Sequence, residues 1–416
     1  MLKGCFRINK RNIVVGLDVG TSAIKAAMGE INHIHGINVL GLVSYPSAGL
    51  RKGNIVDIES TARSVDACLN ELERISGVEI MKALTGFSGI SISAVGNHAV
   101  VAVANPKFEI SREDKERVLH SAQNIALPPD KTIVQVIERQ YIVDGYEGVT
   151  DPVGMVGSRL EVEVVAIIAA TAAIQNLQRS AQRINLQFDK FAYNQLLVAE
   201  SVLTSSEKEM GVAVVDMGGG TTEISVFGQG SVLSTTVLPV GGDYITKDLA
   251  IVLRTSLEEA ARIKEAYGVA APEMARDNLA IKIRNIQGNE VKEVSQRLVA
   301  EIISSRVVEI LEMIYTEIQQ MTYWDTLAGG MVITGGGAQL AGIVELMESY
   351  MDIPVRLGMP DNIKGLSEAV NLPQNSVALG GLIYGFKNME PAIIEAKPGV
   401  SSVFHKLNDW LKELFA

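Results

Sequence analysis

Two stretches of the chain place a carboxylate at the end of an apolar run and follow it with glycine and hydroxyl residues. The first, "IVVGLDVGTSAIK", holds Asp18, Gly20, Thr21, Ser22 and Lys25. The second, "VVDMGGGTTEISV", holds Asp216, Gly218, Gly219, Gly220, Thr221 and Thr222. A glycine turn lets backbone N–H groups converge on a phosphate, because no Cβ blocks the approach. Threonine and serine hydroxyls add donors. A carboxylate cannot bind phosphate directly, but it can hold a hydrated Mg²⁺ that bridges to the phosphate oxygens. Asp18 and Asp216 therefore read as metal-shell carboxylates and the glycines and hydroxyls as phosphate-side groups. Lys25 adds a positive charge nearby. One such turn alone is more often an ordinary hairpin; two copies, with aspartates 198 positions apart, are not. A third cluster, "VITGGGAQLAG", sets Gly335, Gly336, Gly337, Ala338 and Gln339 at a strand-to-helix turn, where a flat ligand can lie on bare backbone. No GxxxxGK[ST] occurs, so this is not a P-loop. The third cluster lacks a GxGxxG continuation and a ribose-binding acid, which argues against a Rossmann site.

The elements that must position these residues follow from the pattern. In each copy an apolar strand ends at Asp, a glycine turn reverses the chain and a second strand returns. The spacing of the copies is that of whole domains, so two related halves are expected. Residues 57–77 and 111–126 have helical spacing, the latter opened by a Ser cap and an acidic first turn. Residues 90–106 alternate like strands, and 139–170 are turn-rich and then strand-like. Residues 86–163 thus read as a small strand-and-helix insertion. Helices are expected over 171–186 and 192–204, two more over 241–268, and one long helix over 291–321. Residues 329–351 read as strand, glycine turn and helix, and 375–386 as a small-residue helix. The halves then divide as 1–85, 164–195 and 371–386 on one side, and 196–236 with 310–370 plus a smaller 237–309 unit on the other. Residues 387–399, with two prolines, read as a linker.

Bulk properties set limits. The chain has 416 residues, 47% apolar and only 5% aromatic, which suits an α/β core of Val, Ile, Leu and Ala. A net charge of −11 argues against a nucleic-acid partner. Cys5 and Cys68 form no metal or disulfide pattern, as in a reducing compartment. The first residues show no signal-peptide apolar run, and residues 162–174 are too short and interrupted to span a bilayer.

The last 17 residues, 400–416, place Val400, Val403, Phe404, Leu407, Trp410, Leu411, Leu414 and Phe415 on one helical face. His405, Lys406, Asn408, Asp409, Lys412 and Glu413 fill the other. Such a helix lies in a membrane interface rather than crossing it, with Trp410 at the headgroup level.

The three glycine motifs, in this order, resemble the phosphate-1, phosphate-2 and adenosine loops of the ATPase superfamily of actin, the heat-shock chaperones and the sugar kinases. "ALGGLIYG" resembles its second connecting helix. Within it the chain looks most like the FtsA family of cell division proteins. "VGNH", "RQYIVDGYEGVTDPVGMVGSRLEVEV" (139–164), "LPVGGDYITKDLAIVL", "ARIKEAYG" and the amphipathic end carry that likeness. The resemblance implies a two-lobed actin-like α/β fold, a duplicated ribonuclease H-like unit, with a small α+β insertion domain called 1C. It implies ATP and Mg²⁺ between the lobes and end-to-end polymerisation. It further implies attachment of FtsZ to the inner face of the cytoplasmic membrane at the septum, through the FtsZ C-terminal tail and the terminal helix (Phe404, Leu407, Trp410, Leu411, Leu414, Phe415), and recruitment of later division proteins through 1C. "RLVAEIISSR" matches the family's docking helix, with Arg297, Glu301 and Arg306 as candidates. Two departures stand out. Where related ATPases carry a water-orienting Glu or Gln, this chain has Asn194 and Gln195, and an amide orients water but is a poor base; slow or absent hydrolysis is expected. Lys264 is present where relatives pair it with an acid, but Ala261 takes the acid's place, leaving Glu258 or Glu259 as substitutes. A sugar kinase would need a catalytic Asp over a sugar cleft, and a chaperone a substrate domain; neither is visible. A PilM-like pilus scaffold shares the insertion but not the terminal amphipathic helix.

Overall fold

The computed structural model describes residues 13–32, 36–288, 291–322, 324–360, 363 and 370–388. The chain opens with β1 (Ile13–Val19), β2 (Ala23–Asn32) and β3 (Gly36–Pro46), then the short pair β4 (Leu50–Arg51) and β5 (Asn54–Ile55). Helix α1 (Ile58–Ser76) and β6 (Lys82–Phe87) follow. Asp57 starts α1 by accepting the N–H groups of Glu59 and Ser60, and Gly77 ends it at φ +70°, a left-handed value that glycine adopts without strain. Next come β7 (Ser93–Ala102), α2 (Arg112–Ala122), β8 (Lys131–Val143), β9 (Tyr146–Val149) and β10 (Arg159–Ala170). They form their own four-stranded sheet, in the order β7-β10-β8-β9. α2 packs on it through Val118 and Ala122 against Tyr141, Leu160 and Val162. β10 runs through residue 163, the expected end of the insertion, because its apolar run continues unbroken to Ala170.

The first half closes with α3 (Thr171–Gln182) and β11 (Gln187–Tyr193); α4 (Asn194–Val202) then crosses to the second half, and α5 (Ser205–Met210) packs beside its sheet, Glu207 pairing with Arg356. The second half holds β12 (Val212–Met217), β13 (Thr222–Gly228), β14 (Ser231–Leu238), α6 (Gly242–Leu253), α7 (Leu257–Tyr267), β15 (Ala280–Arg284), β16 (Val291–Ser295), α8 (Gln296–Met321), β17 (Met331–Thr334), α9 (Ile343–Met351) and β18 (Val355–Leu357), and α10 (Ser376–Lys387) returns to pack on the first half. Residues 291–321 are therefore not one helix. Val291–Ser295 pairs with Ala280–Arg284 as a hairpin, and Ser295 caps α8 by accepting the Leu298 N–H.

The two large sheets have the same plan. One runs β11-β6-β1-β2-β3 and the other β18-β17-β12-β13-β14. In each, the first three strands are an antiparallel meander, and the fourth and fifth join in parallel on the far side of the first. This is the duplication that the repeated Asp motif implied. Both sheets are covered on both faces, which is why their strands read as continuous apolar runs. In the second sheet Ala213 and Val215 face a core shared with α6, α8 and α9. Val212 and Val214 join a different cluster, with Leu84 and Tyr193 of the first half and Leu197 of α4. The halves are thus joined through one continuous core. α10 covers the first sheet at close range, where a Cβ on Gly16 would stand 2.3 Å from Ala378 O, and it also presses on α4, where one on Gly380 would stand 1.9 Å from Leu197 O.

Candidate functional site

The β1–β2 and β12–β13 turns meet face to face. A Cβ on Gly219 would fall 1.8 Å from Ser22 Oγ, and one on Gly220 would fall 2.8 Å from Thr21 Oγ1. None of Gly218, Gly219 and Gly220 holds a positive φ. Gly219 and Gly220 are therefore required by the close approach of the opposite turn, not by backbone twist. The third cluster closes on the same point. Gly335 holds φ +87°, and a Cβ there would stand 2.2 Å from Asp216 Oδ1. Gly337 is pressed on Met217, whereas Gly336 meets nothing within 4 Å. The three motifs, remote in sequence, are thus one constellation.

Register explains its charges. Asp18 lies opposite Lys25 in the first hairpin, and Asp216 lies opposite Glu223 in the second. Lys25 Nζ reaches Asp18 Oδ2 at 3.4 Å. Burial raises the Asp216 carboxyl well above the usual carboxylate range, the charge of Asp18 raises it further, and Lys25 opposes both. Glu223 is raised in the same sense, first by burial and then by Asp216. Ser88 of the first half donates to Glu223 Oε1. Three carboxyl groups thus stand close together, with Lys25 acting on Asp18 and Asp216, an electrostatic deficit that a divalent cation would offset. Among the described residues no group of three or more metal-ligating side chains converges into a cage. Mg²⁺ needs only one or two protein carboxylates and fills the rest of its shell with water and phosphate. Asn194, at the start of the helix after β11, lies against Glu223, and its buried Oδ1 has no partner, as it would beside a bound polar group. The residues present fit a Mg²⁺–phosphate ligand. Asp18 and Asp216 would hold the metal shell, and the metal would screen phosphate charge.

Other expected residues are placed as follows. Gly20 is packed on Ala23 O, Thr21 accepts the Gly53 N–H at 3.0 Å, Ser22 is exposed in its turn and Thr221 is buried in the other. Thr222 was expected to face phosphate, but its hydroxyl is fully buried and donates to Val240 O at 2.8 Å, because β13 turns it into the core. Asn194 and Gln195 open α4, and neither polar atom of the fully buried Gln195 has a partner. Ala338 is buried beneath the third turn, and Gln339 bonds Gln374. Lys264 is held by α6, donating to Gly242 O at 3.1 Å and Thr246 Oγ1 at 2.8 Å; desolvation lowers its pKa. Glu259, offered as its acid, is instead gripped by Arg262 through two bonds of 2.8 Å.

On α8, Arg297 and Glu301 pair one turn apart at 3.4 Å, both exposed. Arg306 is engaged with Asp248 of α6 and Glu309 and lies over the Tyr244 ring. Between α6 and α8 runs a groove of about 360 Å³ lined by Asp248, Ile251, Val252, Glu301, Ile302 and Ser305. Ile251 is 73% exposed and Val252 55%. The residues 400–416 lie outside the described residues, and among those described no helix is long and apolar enough to cross a membrane.

Glu223, Ser88 and Asp243 were not singled out from the sequence. A signal for Glu223 did exist: it follows Asp216 by the same seven positions that separate Lys25 from Asp18.

Comparison with known proteins agrees with this geometry. The family model described as "Cell division protein FtsA" matches residues 213–380, and that of the "SHS2 domain inserted in FTSA" matches 89–168, across the small sheet. The cell division protein FtsA of Pseudomonas aeruginosa is 35% identical over 416 residues, covering 98% of this chain and 99% of its own. Its counterparts are 37% identical in Bacillus subtilis (92% and 85% covered) and 31% in Escherichia coli (97% and 99%). Among solved structures, the PilM–PilN type IV pilus biogenesis complex aligns with a TM-score of 0.62 at 16% identity, over 89% of this chain and 98% of that one. MreB5 of Spiroplasma citri bound to ADP aligns with a TM-score of 0.54 at 14% identity, over 91% and 97%. At such identities these structures speak for the actin-like fold alone. With sequence likeness running nearly end to end, and the inserted domain matched in its place, this chain belongs to the FtsA family of cell division proteins.

Proposed function

We propose that this chain binds ATP with Mg²⁺ between its two halves, polymerises, and ties FtsZ filaments to the inner face of the cytoplasmic membrane at the septum. Later division proteins are recruited through the inserted 1C domain. The observation that carries the nucleotide reading is the packing of Ser22 and Thr21 on Gly219 and Gly220, with Asp216 against Gly335. Two hairpins and an adenosine-type turn then grip one ligand from both halves, so nucleotide acts as a conformational clamp. Asn194 and Gln195 can hold a water but do not take its proton at neutral pH, which makes turnover slow. The α6–α8 groove supports docking of the FtsZ tail: an exposed apolar wall from Ile251 and Val252, polar groups at Asp248 and Ser305, and Arg297 with Glu301 beside it. Arg306 serves there by fixing α6 to α8 through Asp248.

The test has two parts. The full chain is titrated with ATP and Mg²⁺, with dissociation in the micromolar range or tighter and very slow turnover expected; brisk hydrolysis overturns the adaptor reading. It is then sedimented with liposomes, with and without the FtsZ tail peptide. Peptide carried down with the protein supports the tether, and peptide left in the supernatant refutes it.

A further inference from the structure

The two halves are also fastened at the site by the first turn of α6. Ser22 Oγ donates to both oxygens of Asp243, at 3.2 and 3.3 Å. The Asp243 N–H donates to Gly219 O at 2.9 Å. The spot that a Gly219 Cβ would occupy lies 3.0 Å from Asp243 Oδ1 and 1.8 Å from Ser22 Oγ. Ser22, Gly219 and Asp243 therefore form one contact across the cleft. Beside it, Lys52 of the β4–β5 turn stands over the Tyr244 ring at 5.5 Å, a second link between the same two halves. Ser22 and Lys52 belong to the first half, Asp243 and Tyr244 to the second.

Ser22 is the hydroxyl that the phosphate reading requires as a donor, and here it serves an anion that the protein itself supplies. We propose that Asp243 is a carboxylate latch: an internal competitor for phosphate that holds Ser22 and must release it before Ser22 can donate to a nucleotide. The inference rests on the nucleotide-site reading above. A serine hydroxyl has a single proton to give, so carboxylate and phosphate cannot both receive it. A phosphate arriving at Ser22 would also meet the Asp243 charge at close range. Whatever the latch contributes to the closed form is subtracted from the apparent nucleotide affinity. A residue with no negative charge at 243 removes the competitor and leaves the donor in place.

The experiment is a binding cycle on the full chain, using a fluorescent ATP analogue at fixed Mg²⁺. Four proteins are compared: unsubstituted, Asp243→Asn, Ser22→Ala and the double variant. Asp243→Ser, another short polar residue for the first turn of α6, guards against a fold effect peculiar to Asn, and circular dichroism melts report folding of each. The expected result is roughly fivefold tighter binding for Asp243→Asn, the scale of one charge-assisted hydrogen bond at a partly exposed site. Asp243→Ser shifts the same way. In the Ser22→Ala background the gain shrinks by at least half, because coupling between contacting groups is what such a cycle measures. Unchanged or weaker binding by the folded Asp243 variants overturns the latch, and weaker binding with lost Mg²⁺ dependence makes Asp243 a metal-side group. An undiminished gain in the Ser22→Ala background also overturns it, leaving only charge repulsion. No binding by the unsubstituted chain removes the nucleotide site and the latch with it, whereas binding without the gain removes the latch alone.

Discussion

A Cβ on Gly335 would collide with Asp216 Oδ1, and the residue's φ of +87° is costly for any other side chain. Its neighbour Gly336 has open space around it and no such φ. The pair therefore separates folding from binding. Gly335→Ala is expected to lower Tm, with about 1–3 kcal/mol from the glycine-only positive-φ backbone alone, and to weaken Mg²⁺-dependent ATP binding by shifting Asp216. Gly336→Ala is expected to leave Tm nearly unchanged and still weaken ATP binding. Unchanged affinity in the second variant would take the adenosine out of that turn. Glu223 and Asp216 make a second prediction, of pH dependence. Their carboxyls sit above the usual range in the folded state, chiefly through burial, so the folded form holds protons that the unfolded chain releases. The stability of the nucleotide-free protein is then fullest below an ordinary carboxylate pKa of about 4 and falls as pH rises through the folded values. Glu223→Gln keeps the shape and removes one titrating group. Urea melts from mildly acid to mildly alkaline pH should show a flatter stability profile for the variant and higher stability at the alkaline end.

Helix α10 shows how an element can override an intrinsic preference. Gly→Ala inside a helix ordinarily stabilises by about 1 kcal/mol. At Gly380 the added carbon would meet Leu197 O of α4 at 1.9 Å, backbone against backbone. The collision outweighs propensity, so Gly380→Ala should destabilise by about 1–3 kcal/mol, read as a lower urea midpoint with unchanged slope. A raised midpoint would mean that α10 is not seated as described. Since α10 also lies on β1, which carries Asp18 near its end, ATP affinity should fall with it. The same elements show what could be read in advance. Strands β1 and β12 were legible because burial on both faces makes them unbroken apolar runs that stop at a glycine turn. β11, "QFDKFAY", was not, because Asp189 and Lys190 interrupt any alternation at its middle. Val291 and Val294 fit a helical spacing as well as a strand, and only the Ser295 cap separates them from α8. At the site, Asp18 and Asp216 were visible through repetition. Glu223 looks like a solvated strand residue until the closed hairpin sets it against Asp216, and Ser88 and Asp243 acquire partners only when the halves meet.

The molecule as a whole carries a net charge of −11, which repels the anionic face of a membrane. The proposed anchor must therefore work by burying apolar surface. Its two lysines, Lys406 and Lys412, are matched by Asp409 and Glu413, so lipid charge adds little. Burying the face from Phe404 to Phe415 contributes several kcal/mol at about 25 cal/mol per Å², enough for weak, reversible binding by one molecule. Polymerisation makes many such helices act together and raises residence steeply. Liposome co-sedimentation should then rise sharply with protein concentration, respond to ATP and Mg²⁺, and change little with added salt. Deleting residues 400–416 should abolish it while leaving the ATP dissociation constant unchanged, since the motifs of the cleft all lie upstream. Trp410→Glu, in the intact chain, should do the same by placing a charge in the middle of the apolar face. A truncated protein that still sediments would move the anchor to another surface. Strong loss of binding with salt would make the contact electrostatic, against the sign of the whole molecule's charge.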